Sequence, residues 1–223
     1  PLNAVKMGSD LLLASDGLPP AQRSVVSSIS RSAARMERMI GDLLDFTRLR
    51  FGQGLPVTPE ETDLLALSQT AVEELEMAHP GRRIEVRGAG DCRAAADPDR
   101  AAQVVSNLVA NALQYSLRGT PVLVNVNGEG AEAVRLEVHN EGEPIPPVLL
   151  PELFEPFRRN AGEDKPRLAT SGLGLGLYIV KQIMLAHGGT IEARSTREGG
   201  TIFAARWPRR AAALAAPAQA GRG

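Results

Sequence analysis

Apolar residues recur with helical spacing along the first fifty residues of the chain. A first run ends near residue 15, and the segment DGLPP at 16–20 breaks it. A longer run covers residues 21–49 at near-heptad spacing, with apolar residues at Val25, Ile29, Ala33, Met36, Ile40, Leu43 and Phe46. A second copy of the same hairpin buries such a stripe economically, so we predict half of a dimeric four-helix bundle over residues 1–51. Packing of the long helix on the rest of its own chain is the alternative.

The pattern becomes mixed after a glycine-rich linker at 51–56. We predict helices at 63–77 and from 98 to about 115, where Asp97 is the expected N-cap, and a short helix ending near Phe154. Alternating apolar and polar residues predict strands at 84–87, 92–96, 122–126, 133–138, 190–193 and 201–204. This order indicates an α+β fold over residues 52–208, a two-layer α/β sandwich with one mixed sheet covered on one face by helices. The Ala-rich residues 209–223 are predicted to form a disordered tail.

Composition and charge narrow the function classes. A formal charge of −1 over 223 residues argues against nucleic acid or a membrane surface as a partner. The single cysteine, Cys92, excludes a disulfide framework and a cysteine-based zinc site, and it fits a cytoplasmic protein. No apolar run approaches the length of a membrane span. Because the chain begins without Met on residues that are already helical in pattern, we expect it to be a piece of a longer protein.

The sequence SGLGLGL at 171–177 leads directly into an apolar helix pattern. Glycines at alternate positions leave backbone amides accessible, and the start of a helix attracts anions, so the stretch is typical of a phosphate site. A flexible hinge before an ordinary core helix fits the same residues about as well.

Two further groups of polar residues have the character of ligand sites. Asn107 and Asn111 lie four residues apart on one helical face, where two carboxamide oxygens suit Mg²⁺ shared with phosphates. Asn140 ends a strand next to Gly142, where an amide edge can face a flat heterocycle. The alternatives are structural: the asparagines bond each other or a nearby turn, and Asn140 forms an Asx-turn.

Four motifs, taken in this order, resemble the boxes of sensor histidine kinases, whose ATP-binding domain belongs to a superfamily shared with gyrase, mismatch-repair and heat-shock chaperone ATPases. They are the asparagine-bearing helix, the strand-end turn, FEPF at 154–157 and GLGLGL at 172–177. PLNAV at 1–5 is similar to the end of the family's phosphoacceptor box, H-E-[LF]-R-[TN]-P-L-N-x-[IVL], and GGTIF at 199–203 extends the likeness. The resemblance covers nearly the whole chain up to Pro208.

The resemblance implies a role for each matching residue. Asn111, helped by Asn107, would coordinate the Mg²⁺ that bridges the ATP phosphates. Tyr115 and Ile145 would line the nucleotide pocket, and the base would contact Asn140, Gly142 and Thr201. The phosphates would lie against Gly172, Leu173, Gly174, Leu175, Gly176 and Leu177, and the polar segment 158–170 would be a lid.

Some residues depart from the family's pattern. Asn140 stands where an Asp is usual, so it accepts a hydrogen bond from the adenine amine without the assistance of a charge. Gln114 occupies a position that is often basic, and Pro144 replaces a glycine. The phosphoacceptor His and its neighbouring Glu would lie before Pro1, and His79, His139 and His187 are predicted to be structural or solvated. We therefore expect this chain to bind ATP without phosphorylating itself.

For the intact protein the resemblance implies a homodimeric kinase that takes its signal from an upstream sensor domain. It would pass a phosphoryl group to its own His and then to an Asp of a response regulator receiver domain. Some phytochrome-like kinases resemble the Asn-for-Asp variant, which gives only an analogy for the stimulus. Two other functions stay open: a non-catalytic dimerisation and docking module with a decayed pocket, and an ATP-gated clamp of the gyrase type. The clamp needs a catalytic Glu in the asparagine-bearing helix, and residues 103–111 contain no acid.

Overall fold

The computed structural model describes residues 1–15, 17–158 and 173–210. Its first part is an antiparallel helical hairpin of α1 (Leu2–Ala14) and α2 (Pro20–Arg50). Lys6 forms an ion pair with Glu37 at 3.4 Å, and the Ser30 hydroxyl donates to Asp10 Oδ1 at 2.8 Å. Both helices of the sequence prediction are therefore present.

The long helix α2 divides into two regions by its surroundings. Its N-terminal two thirds leave a row of large apolar side chains about half exposed, namely Val25, Ile29, Met36 and Ile40. Near its C-terminal end, Phe46 and Leu49 pack against the core of the second part of the chain. The two alternatives from the sequence thus apply to different stretches of one helix: an unpartnered stripe, followed by a segment packed on its own chain.

The second part is a five-stranded mixed sheet with three helices on one face. The strands are β2 (Ile84–Gly90), β4 (Val122–Gly128), β5 (Ala133–Asn140), β6 (Thr190–Thr196) and β7 (Gly200–Pro208), in the order β2-β4-β5-β7-β6. Only the β2–β4 pair is parallel. The covering helices are α3 (Leu64–Ala78), α4 (Pro98–Tyr115) and α5 (Gly176–Ala186). This arrangement confirms the predicted two-layer sandwich.

The strand predicted at 92–96 is not part of this sheet. It forms β3 (Arg93–Ala96), which pairs antiparallel with β1 (Glu60–Asp63) in a separate two-stranded sheet. The sequence analysis missed β1 because EETD carries no large apolar residue, so pairing with β3 rather than side-chain alternation defines this strand. The short helix predicted to end near Phe154 is a 3₁₀ helix over Pro147–Glu152.

The core lies between the sheet and the three helices. Trp207, Phe203 and Leu136 are fully buried on the sheet side, and Leu108 and Ile179 are fully buried on the helix side. Leu175, directly before α5, is also fully buried. Because this side chain is anchored in the core, the glycines on either side of it are held at the start of α5.

Candidate functional site: the face between α4, α5 and the end of β5

Helix α4 begins as the sequence predicts. The Asp97 carboxylate accepts the N–H of Arg100 at 3.1 Å and the N–H of Thr58 at 2.8 Å, and Pro98 occupies the first turn. Burial alone would raise the pKa of Asp97, but these donated hydrogen bonds hold it below its ordinary value. The cap fixes where α4 starts and therefore where its asparagines lie.

The predicted magnesium ligand Asn107 lies against the first residue of α5. A methyl group placed on Gly176 would meet Asn107 Oδ1 at 3.5 Å, so the carboxamide borders the start of this helix. Asn107 Nδ2 is buried, and within the described residues it has no hydrogen-bond partner. Asn111, one turn further along the same face, is half-buried. We call the surface between α4, the start of α5 and the end of β5 the groove. A buried amide without a partner is costly, and a ligand in the groove would satisfy it.

The glycine-rich stretch is described from Leu173 onward, and Gly172 lies outside the described residues. Gly174 has φ +73°, and its carbonyl accepts the N–H of Phe157 at 3.0 Å. Gly176 opens α5, where the Leu175 carbonyl accepts the N–H of Ile179 at 2.8 Å. Leu177 is partly buried against the core. The first turn of α5 therefore presents backbone N–H groups next to the Asn107 carboxamide.

A second cluster forms where β5 ends. Asn140 is 2% exposed and lies opposite Thr201 of β7 in the antiparallel register. The Thr201 and Ser195 hydroxyls are 2.7 Å apart, and Ser195 Oγ also accepts the N–H of Ile145 at 2.9 Å. Three predicted pocket residues, Asn140, Ile145 and Thr201, thus meet here. Ser195 was missed from the sequence because only the β6–β7 register places it beside Thr201.

Gly142 connects this cluster to the end of α4. It forms an isolated antiparallel bridge with Ser116, and a methyl group at this position would lie 2.5 Å from the backbone oxygen of Tyr115. Only glycine permits this close approach. Tyr115, 41% exposed, ends α4 at the same end of the groove as Asn140. Along α4, Asn107 lies at the predicted phosphate end and Tyr115 at the predicted base end. The rise between them is about 12 Å at 1.5 Å per residue.

The donor set around the groove consists of amides and hydroxyls. Within the part of the chain that the structure describes, no group of three or more His, Cys, Asp or Glu residues could hold a metal ion. The carboxamide oxygens of Asn107 and Asn111 are hard, neutral ligands. They suit a Mg²⁺ ion whose other ligands are supplied mostly by phosphate and water. The groove fits a shared metal rather than a closed protein cage.

The three histidines take structural positions. His187, 3% exposed, accepts the N–H of Asp97 with Nε2 at 2.9 Å and contacts the Ile183 carbonyl with Nδ1 at 2.7 Å. His79 and His139 each contact a backbone carbonyl, of Leu75 and of Gly199. The hydrogen bond that the Asp97 N–H donates to His187 therefore links the start of α4 to the end of α5.

Comparison with known proteins identifies the family of the chain. The family described as histidine kinase-, DNA gyrase B- and HSP90-like ATPase matches residues 96–211, and the histidine kinase A (phospho-acceptor) domain matches residues 1–52. The chain belongs to this ATPase family and is a histidine kinase transmitter. The resemblance drawn from the motifs is therefore confirmed.

Relatives of this transmitter share most of its length. It is 40% identical over 212 residues to the bacteriophytochrome of Pseudomonas aeruginosa, which is 95% of this chain and 28% of the relative. It is 36% identical over 200 residues to the sensor histidine kinase TrcS of Mycobacterium tuberculosis, which is 87% of this chain and 38% of the relative. The chain thus spans less than two fifths of the length of these two relatives.

A solved structure repeats the fold. Full-length ShkA in complex with AMPPNP superposes with a TM-score of 0.65 at 25% identity, covering 95% of this chain and 44% of that chain. The superposition includes both the hairpin and the sandwich, because either part alone is shorter than the covered share. In the described part of our chain, no helix combines the length and the apolar character that crossing a membrane requires.

Proposed function

We propose that this transmitter binds Mg-ATP in the groove between α4 and α5 and is the catalytic core of a cytoplasmic protein-histidine kinase. The observation that supports the proposal best is Asn107: its Nδ2 is buried without a hydrogen-bond partner among the described residues, and its carboxamide lies against the first residue of α5. Phosphates at this helix start would receive backbone N–H groups and an amide together.

The two ends of the groove differ as the triphosphate and the base of a nucleotide do. The triphosphate would lie at the Asn107 and Gly176 end, and the base at the Asn140 and Thr201 end. The span of about 12 Å along α4 between these ends is in the range of an extended nucleoside triphosphate. Asn107 and Asn111 would hold Mg²⁺, which when bound offsets the negative charge of the phosphates.

For the longer protein we propose the phosphorelay that the family resemblance implies. A His upstream of Pro1 would attack the γ-phosphate, and an Asp of a response regulator would then take the phosphoryl group. The half-exposed apolar row on α2 supports a homodimer through the hairpin, and an upstream sensor domain would supply the signal. The likeness to a bacteriophytochrome concerns the transmitter alone, so it does not identify that sensor.

Calorimetric titration of the 223-residue chain with ATP, with and without Mg²⁺, tests the binding proposal. We expect saturable binding that Mg²⁺ strengthens, and at least a tenfold loss of affinity in the double variant Asn107→Ala/Asn111→Ala. Asn125→Ala, an asparagine on β4 away from the groove, is the matched control and should bind like the parent chain. Absence of binding at millimolar ATP would instead favour a dimerisation and docking module whose pocket has decayed.

A further inference from the structure

Three polar side chains form one row across the end of the sheet. Asn140 of β5 pairs with Thr201 of β7, and Thr201 pairs with Ser195 of β6. Directly opposite residues of an antiparallel pair place their side chains on the same face. Asn140 is 2% exposed, Thr201 is 5% exposed and Ser195 is half-buried. We call these three residues the polar row. Because buried polar groups need hydrogen-bond partners, the bonds within this row show what a ligand could add.

The backbone at the end of the polar row is closely packed. Gly200, with φ +64°, opens β7, and a methyl group there would overlap the Asn140 carbonyl. A methyl group on Gly142 would lie 3.3 Å from Asn140 Nδ2. The strand register and these close approaches hold the Asn140 backbone in place. Rotation of the carboxamide is the freedom that remains at this position.

The Asn140 carboxamide is not tied to one orientation. Among the described residues, no hydrogen bond holds it, because the Thr201 hydroxyl opposite is bonded to Ser195 Oγ at 2.7 Å instead. A carboxamide has an acceptor oxygen on one side and an N–H donor group on the other, and a half-turn about its last bond exchanges them. The described part of the chain therefore leaves this buried side chain able to present either group to a ligand.

The two hydroxyls of the polar row can reverse in the same way. Either Ser195 or Thr201 can donate the hydrogen bond between them. The Ile145 N–H occupies one lone pair of Ser195 Oγ and leaves the Ser195 proton free for either direction. Thr201 can thus offer either a proton or a lone pair beside Asn140. Each orientation of the carboxamide has a matching state of its neighbours.

Purine bases differ in the edge that such a row would contact. Adenine has an amino donor at position 6 and an acceptor at N1, whereas a 6-oxo purine has an acceptor at position 6 and an N1–H donor. A carboxamide is complementary to either edge after a half-turn. A group that only accepts, such as a carboxylate, matches the amino group and is repelled by the oxo group. A site of fixed polarity rejects the wrong base because its own buried groups stay unpaired, and the polar row avoids this loss with either base.

We propose that Asn140 sets the purine selectivity of the groove, and that the polar row admits 6-oxo purine nucleoside triphosphates about as well as ATP. With adenine, the carboxamide oxygen accepts from the 6-amino group and Nδ2 donates to N1. With a 6-oxo purine, Nδ2 donates to O6 and the carboxamide oxygen accepts the N1–H. The inference rests on the function proposed above, because it requires a nucleotide whose base lies at the Asn140 end.

Calorimetric titration of the 223-residue chain with three nucleotides in Mg²⁺ tests the proposal. They are ATP, inosine triphosphate (ITP), which has the 6-oxo edge, and purine riboside triphosphate, which has no substituent at position 6. We expect ITP to bind within about threefold of ATP, and purine riboside triphosphate to bind about fivefold more weakly than ATP because one hydrogen bond is lost. A stronger preference for ATP over ITP would overturn the proposal. Purine riboside triphosphate that binds as tightly as ATP would also overturn it.

The variant Asn140→Asp tests the role of the carboxamide itself. A carboxylate only accepts, so the preference for ATP over ITP should rise about tenfold or more. Asn127→Asp, at an exposed position of β4 opposite Arg135, is the matched control for the added charge and should keep the parent ratio. An unchanged ratio in Asn140→Asp would contradict the proposal, and the parent series decides it even if this variant does not fold.

The same titrations separate the selectivity from the function on which it rests. A parent chain that binds none of the three nucleotides would contradict the proposed Mg-ATP site, and the selectivity with it. A parent chain that binds ATP and excludes ITP would contradict the selectivity alone.

Discussion

Asn140 shows how one residue would set the chemistry of the proposed base end. It is 2% exposed and faces Thr201 across the β5–β7 register. A carboxamide accepts a hydrogen bond from an exocyclic amine, but a carboxylate accepts it about twice as strongly. The family's usual Asp would also place an uncompensated charge in this buried position when no ligand is bound.

Replacement of Asn140 by Asp should therefore have two opposite effects. We expect ATP to bind several-fold more tightly, because the amine–carboxylate bond is charge-assisted, and the melting temperature without nucleotide to fall. Asn140→Ala should weaken ATP binding at least tenfold. Competition binding and thermal unfolding on the same samples measure both effects, and an unchanged ATP affinity in Asn140→Asp would place the base elsewhere.

The two glycines flanking Leu175 are predicted to differ. Gly174 has φ +73°, and a methyl group there would lie 3.1 Å from the Arg158 backbone oxygen, so Gly174→Ala should cost about 1–3 kcal/mol. A methyl group on Gly176 meets Asn107 only at ordinary contact distance, so Gly176→Ala should fold normally. It should nevertheless lower Mg-ATP affinity, because the methyl group occupies the phosphate side of the groove. Denaturant unfolding and calorimetry separate the two outcomes, and equal effects of both substitutions would contradict this geometry.

At the scale of elements, the end of α5 is tied to the start of α4 through His187 and Asp97. His187 Nε2 is an acceptor for the N–H of Asp97, and the Asp97 carboxylate caps α4. This link fixes the α4 face that carries Asn107 and Asn111 relative to Gly176 at the start of α5. His187 therefore has a structural role, although any histidine of a histidine kinase is also a candidate phosphate acceptor.

His187→Leu should destabilise the chain by about 1–3 kcal/mol, because it leaves the partly buried N–H of Asp97 without this acceptor. His79→Leu, at a half-buried site on α3's C-terminal end, is the matched control and should cost less. Urea unfolding of both variants checks the difference. Comparable losses in the two variants would show that the α4–α5 link contributes nothing of its own.

Part of the loss of folding stability at low pH should come from the Asp97 cap of α4. Since the folded-state pKa of Asp97 lies below its ordinary value, its contribution to stability is complete above that value and is lost as pH falls through the lower range. We expect Asp97→Asn to be less stable than the parent at pH 7 and to lose less stability between pH 5 and pH 2. A stability curve parallel to that of the parent would contradict this role.

The same elements explain how far the sequence could predict the fold and the site. The α4 cap was predictable because Asp97 and Pro98 act on the adjacent turn, and the asparagine face followed from the helical period. Strand β1 was not predictable, because it forms through pairing with β3 and its own sequence has no strand pattern. Ser195 and the ion pair between Asp45 and Arg100 were also missed, since 55 residues separate the two partners of that pair and no local pattern joins them. The lid was predicted over residues 158–170, and residues 159–170 lie outside the described part of the chain.

For the whole molecule, the half-exposed apolar row on α2 predicts self-association. Val25, Ile29, Met36 and Ile40 are each between 44% and 60% exposed, more apolar surface than a single hairpin buries. Two surface grooves, of about 490 and 450 Å³, also lie on the hairpin. A second hairpin would cover this surface in a four-helix bundle.

Sedimentation equilibrium tests the dimer. The chain of 23.7 kDa should sediment at twice that mass, and Ile40→Glu should shift it to the monomer because a charge replaces an apolar contact. Ser24→Glu, on the opposite side of α2, should leave the dimer intact. A parent chain that is monomeric at every concentration would contradict the bundle.

The most direct test of the account is where Mg-AMPPNP perturbs the backbone. In amide NMR spectra of the 223-residue chain, we predict the largest shifts at Asn107, Asn111, Gly174 and Gly176, with a second group around Asn140 and Thr201. Magnesium should be required for the shifts at the two α4 asparagines. Saturable shifts confined to the hairpin, or none in α4 and the start of α5, would contradict a nucleotide site between these helices.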